Sequence, residues 1–168
     1  LSNALETSTD VTFSIATDGS NTAEAGDVGN ITSVTYQNGG STVTITANGD
    51  GSYTVPTGVT GLQVSVATTQ DSVFEGPETF TLSATTDNAA ITSTDTGVGT
   101  IKDDGTGPDP DGPGPETPDD DRPTLTIDNV DVSEGSDAVF DVALSNALET
   151  STDVTFSIAT DGSNTAEA

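Results

Sequence analysis

Residues 1–25, LSNALETSTDVTFSIATDGSNTAEA, recur without one change as residues 144–168, an offset of 143 positions. A perfect repeat of that length makes the chain a window on a tandem array, in which each unit is a module that stacks against or follows the next. The window opens and closes inside a unit, so the expectation is a piece of a much longer protein whose ends are not domain boundaries. Any fold has to accommodate two copies of one segment.

Within the unit, apolar residues alternate with polar ones. Val11, Phe13 and Ile15 do so, then Val34 and Tyr36, Val43 and Ile45, Leu62, Val64 and Val66, and Phe80, Leu82 and Ala84. A period of two marks a strand with one buried face. The pattern returns at Leu125, Ile127, Val130 and Val132, at Ala138, Phe140, Val142 and Leu144, and at Val154, Phe156 and Ile158. Asn38-Gly39, Asp18-Gly19 and Asp50-Gly51 supply hairpin turns. Phe13, Tyr36, Phe80 and Phe140 are expected in the core. No segment keeps a helical spacing, so the expected fold is all-β: an Ig-like antiparallel sandwich of Greek-key type, with seven or eight strands per unit.

The alternation stops between Asp103 and Arg122, where DDGTGPDPDGPGPETPDDDR holds proline, glycine and acid and no core residue. Such a composition reads as an inter-domain linker. The expected division is therefore 1–103, the later part of one sandwich, 104–121, the linker, and 122–168, the first strands of the next. A unit is then 125 residues of domain and 18 of linker, which accounts for the 143-residue offset. Neither piece contains a whole sandwich. Two arrangements would complete one: head-to-tail complementation between molecules, or a fold-back within the chain, which a linker reaching about 60 Å when extended permits.

Composition narrows the chemistry. Twenty-eight acidic residues face only Lys102 and Arg122, a formal charge of −26. The molecule repels nucleic acid and anionic membranes, has no apolar run of membrane-spanning length, and attracts cations. Without Cys, His, Met or Trp, it has no thiol or imidazole chemistry and no soft metal ligand. Oxygen ligands remain, and these suit Ca2+.

The acids cluster at strand ends. They are Glu134 in VSEG; Asp18, Glu24 and Asp27 in TDGSNTAEAGD; Asp71, Glu75 and Glu78 in DSVFEGPETF; and Asp103 and Asp104 in GTIKDDG. Here the unit resembles the Calx-β-like sandwich family, in which VSEG opens the domain, D-x3-E-x2-ETF precedes a late strand and GTI-x-DD closes it. The resemblance implies that acids from these three places converge at one tip and bind calcium. Glu134, Asp71, Glu75, Asp103 and Asp104 match residue by residue. Asp18 and its copy Asp161 lie in a loop that only approximates the family's, Gly105 stands where a third aspartate is common, and Glu78 is left to cap or solvate its strand. The linker adds Asp109, Asp111, Asp119, Asp120 and Asp121 as candidate ligands, with Glu116 beside them; calcium held there would stiffen a proline-rich spacer.

The array, the acidity and the resemblance together imply a structural role. The expectation is a calcium-stabilised extender repeat of a large bacterial cell-surface adhesin, extracellular, related in design to the RTX adhesins, with neighbouring repeats as its partners. It would hold a distal binding module away from the cell in surface attachment or biofilm formation. The nonapeptide repeats typical of RTX proteins do not occur in these residues. Two alternatives belong to other classes: a calcium-dependent glycan- or cell-binding module, and a Calx-β-type calcium sensor. An enzyme is not expected, because nothing marks one carboxyl of a pair as held neutral in an apolar pocket.

Overall fold

The computed structural model describes residues 4, 6–91, 95–106 and 120–159. These residues are all-β. Eight strands run through the first part of the chain: β1 (Thr9–Ala16), β2 (Val28–Asn38), β3 (Ser41–Thr44), β4 (Tyr53–Val55), β5 (Gln63–Thr68), β6 (Val73–Phe74), β7 (Glu78–Thr85) and β8 (Asp95–Ile101). Three short ones follow the linker: β9 (Leu125–Ile127), β10 (Val142–Leu144) and β11 (Ala147–Leu148). No helix long and apolar enough to cross a membrane occurs among the described residues.

Two antiparallel sheets make the sandwich, one in the order β4-β1-β7-β8 and the other β3-β2-β5. Alternation places Val11 and Phe13 of β1 on the face that meets Val55 of β4 and Val59 beyond it. Tyr36, Leu62 and Ala84 pack around this cluster. The Phe13 and Tyr53 rings meet at a centroid distance of 5.8 Å, tilted by 57°. Val34 on β2 is fully buried. The turn from β2 to β3 is the Gly39-Gly40 pair, at φ 58° and 87°, between the paired residues Asn38 and Ser41. Positive φ at both central positions is what a tight hairpin matching strand twist requires, and only glycine adopts it without strain. On the other sheet Phe80 of β7 lies opposite Gly99 of β8, and a Cβ at Gly99 would collide with the ring.

The two copies of the repeated segment behave differently. In the first, Thr9–Ala16 is β1, hydrogen-bonded to β4 on one edge and to β7 on the other. In the second, residues 151–159 belong to no strand, although Thr152–Ala159 has the sequence of β1. The strand expected at Val154, Phe156 and Ile158 is therefore absent: a strand needs a neighbour, and the place that this sequence fits is filled by β1. Phe140, expected in the core, is 53 % exposed; it lies in no strand, just ahead of β10, which pairs only with β9. Val130 and Val132 lie outside any strand.

The part of the second copy that does pair is β11. It runs parallel to β6, with Ala147 opposite Val73 and Leu148 opposite Phe74, and the Glu149 N–H donates to the Phe74 carbonyl at 3.2 Å. The chain thus folds back on itself through β11. The stretches expected to bound the linker also meet: Asp104 and Asp120 form an antiparallel bridge, and the Asp121 N–H donates to the Asp103 carbonyl at 3.3 Å.

Candidate metal centre

One end of the sandwich gathers carboxylates from three stretches of chain. The first is the loop after β1. There the N–H groups of Thr22 and Ala23 both donate to the Thr79 carbonyl, at 3.1 and 3.0 Å, and the Thr79 N–H donates to Thr22 Oγ1 at 2.9 Å. Ala23 is buried by this stitching. Because Thr79 is the second residue of β7, the loop delivers Glu24 beside Glu78, the first. Asp27 is fixed in turn: its carbonyl accepts the Thr69 N–H at 2.9 Å, and its Oδ2 accepts the Glu24 N–H at 2.8 Å.

The second stretch is the segment around β6. Asp71 Oδ1 accepts the Val73 N–H at 2.8 Å, an Asx turn that starts the strand. Asp103 Oδ2 accepts the Glu75 N–H at 3.0 Å, which ties the β6–β7 connection to the end of β8. The third is the residue after β11, Glu149, carried in by the pairing with β6.

The result is two overlapping trios. Carboxylate oxygens of Glu24, Asp27 and Glu75 lie within 4.8 Å of one another, and so do those of Glu24, Glu78 and Glu149. Electrostatics follow from the crowding. Burial, then the charges of Glu24, Asp27 and Glu75, push the Glu78 carboxyl up to about 7. Glu75 is also raised, first by burial and then by Asp27, Asp71, Glu149 and Glu24. Glu24 is raised by desolvation and by its hydrogen bond with Asp27. Glu78 is 5 % exposed, and its Oε2 is buried with no hydrogen-bond partner. A buried oxygen without a donor is costly. A cation would supply the missing partner and offset the repulsion among its neighbours. The acidic clusters can hold a metal ion, and an all-carboxylate set suits a hard divalent one.

The residues singled out from sequence take several places. Glu75 is in a trio, Asp103 anchors its backbone, and Asp71 is near enough for its charge to raise Glu75. Asp18 stands at the start of the loop after β1, where its carbonyl accepts the Asn21 side chain at 2.8 Å. Asp104 accepts from the Thr106 hydroxyl and N–H, which hold it below the usual range. Asp120 is clamped by Arg122, with Nε and Nη2 each 2.7 Å from a carboxylate oxygen, and is lowered by that pairing. Asp121 accepts the Asn146 side chain at 3.0 Å. Glu134 lies in an exposed turn. None of these last five is in a trio. Asp109, Asp111, Asp119 and Asp161 lie outside the described residues. Glu24, Asp27 and Glu78 stand inside the acidic motifs but were not carried over as ligands, and Glu149 was not singled out. Its signal was the repeat itself, which brings a second Asn-Ala-Leu-Glu to β6.

Elsewhere, Tyr36, Asn38, Pro56, Gly58, Leu62 and Gln63 help to line an open groove of about 630 Å3. Comparison of the chain with protein-family models, curated proteins and solved structures finds no match.

Proposed function

We propose that the chain is a calcium-stabilised structural module, an extender repeat of a large bacterial surface adhesin. The observation that carries this reading is the convergence of Glu24, Asp27, Glu75, Glu78 and Glu149 around a buried, unpartnered carboxylate oxygen. Five acids drawn together from distant parts of a chain of charge −26 oppose folding unless a cation sits among them. Calcium fits such a flexible, oxygen-only set better than a small ion that demands regular octahedral geometry. The perfect repeat supports the extender role, since near-identical units in series serve length.

Titration of the metal-free chain with calcium chloride, followed by thermal unfolding, tests the proposal. Saturable binding should raise stability by about 2.7 kcal/mol at a hundred times Kd. Unfolding that is insensitive to millimolar calcium would eliminate calcium stabilisation. A second reading, a glycan-binding module, draws on the groove, whose lining includes Tyr36, Asn38 and Gln63. Binding on a glycan array that is lost in Tyr36→Ala would favour it.

A further inference from the structure

The place between β4 and β7 is occupied by Thr9–Ala16, yet the chain carries the same eight residues again at Thr152–Ala159. In the first copy Val11 is 8 % exposed. In the second, the equivalent Val154 is 41 % exposed, and Phe156 and Ile158 are 64 % and 95 % exposed. What covers these side chains is written in the first copy: the core that Val55 and Val59 share with the strand lying between β4 and β7. We propose that the slot between β4 and β7 is a strand-binding site with two alternative occupants, β1 and residues 152–159, and that the second reaches it within the same chain.

Position favours the intrachain route. β11 already seats Ala147 and Leu148 of the second copy on β6, and the Glu149 N–H extends the pairing. Residues 149–151 alone then separate β11 from Thr152, the same spacing by which Leu5 precedes Thr9. The β6 seat is thus held by one copy and the β1 slot by the other. Residues 152–159 entering the slot would place both under one continuous segment and release the first copy.

Energetics set the balance. The two occupants are identical, and so are the residues around them over the whole of 1–25 and 144–168, so each makes the same ladder bonds and buries the same side chains. The slot contacts match but the connections differ, since β1 continues through residues 17–27 into β2 whereas residues 152–159 follow β11, so loop closure sets how the slot is shared between the two occupants. Exchange is slow, because β1 is paired on both edges and must leave β4 and β7 together. Refolding lets the two copies compete directly.

The chain has no cysteine, which allows a direct test. Thr12 of β1 lies opposite Thr85 of β7, and both are exposed; Thr155 is the copy of Thr12. The full chain carrying Thr12→Cys, Thr85→Cys and Thr155→Cys is refolded from denaturant at low concentration under oxidising conditions, alkylated and cut with trypsin. Lys102 is the effective cleavage point, because Arg122 is followed by Pro123. A disulfide between positions 85 and 155 keeps the two fragments joined on a non-reducing gel, whereas one between positions 12 and 85 lets them separate. The expected result is that both bonds form within single chains, each assigned by mass spectrometry. Recovery of position 155 wholly as the alkylated thiol overturns the proposal. So does a disulfide joining positions 12 and 155, or one joining positions 85 and 155 only between chains. The disulfide between positions 12 and 85 reports within the same sample that the β1–β7 register has formed.

Discussion

Glu78 opens β7 as a buried acid whose neighbours are acids, and its proton links folding to pH. Its ordinary value is 4.5, and the folded chain pushes it up to about 7. Between those values the folded state keeps a proton that the unfolded state has lost, so without metal the stability falls as pH rises through that window. Glu24 and Glu75 are raised as well and add to the same slope. The midpoint of thermal unfolding in chelator should therefore drop between about pH 4.5 and pH 7. Glu78→Gln should flatten the drop, raise the metal-free midpoint at pH 7 by ~2–4 °C if about 1 kcal/mol of repulsion is relieved, and shrink the calcium-induced shift. A midpoint in chelator that climbs with pH would contradict this account. Which acids meet was only partly legible in the sequence. Asp71, Glu75 and Glu78 share one motif, and Glu24 and Asp27 another. Local contacts that no motif displays removed others from reach: Asp120 is held by Arg122 two residues on, and Asp104 by Thr106. Glu149 depended on which copy of its segment would dock on β6.

Among the elements, the alternating segments that became β1, β2, β3, β5 and β7 were legible, because apolar and polar residues alternate along each. β4 and β6 are three and two residues long, too short for a period to register. Residues 152–159 mark the limit of periodicity most sharply: they carry the same alternation as β1 but form no strand, since alternation names the buried face and not the neighbour that buries it. Pairing also explains Gly99, whose lack of a side chain lets the Phe80 ring lie across β8. Gly99→Ala should force the ring aside and destabilise the chain by about 1–3 kcal/mol, the usual cost of overpacking. Phe80→Leu, which removes the obstructing ring, should recover part of that loss in the double variant. Denaturant unfolding of both singles and the double measures the coupling, and strictly additive losses would mean that the ring is not what the new methyl meets.

At the scale of the whole molecule, the question is whether cation binding at the sandwich tip stiffens an array. Charge alone would extend it: units of strong like charge repel, although at physiological ionic strength that repulsion fades beyond about 8 Å. Calcium would act differently, by ordering the carboxylate end of each sandwich, where Asp103 ties β8 to the trio through the Glu75 backbone. Asp103 also accepts the Asp121 N–H, and the neighbouring Asp104 pairs with Asp120. On the proposed reading, the joint between units would start within a few residues of the candidate metal centre. Small-angle scattering on two, four and six joined units separates the two effects. With calcium, the maximum dimension should grow in proportion to the number of units, as in a rod. In chelator it should grow more slowly, toward the square-root dependence of modules on flexible linkers. A third condition, chelator with sodium chloride matched to the ionic strength of the calcium buffer, isolates screening. If that condition alone restores rod-like growth, the stiffness comes from charge and not from calcium. Identical growth in all three would eliminate calcium as the stiffener while leaving its binding at Glu75 and Glu78 to be judged by titration.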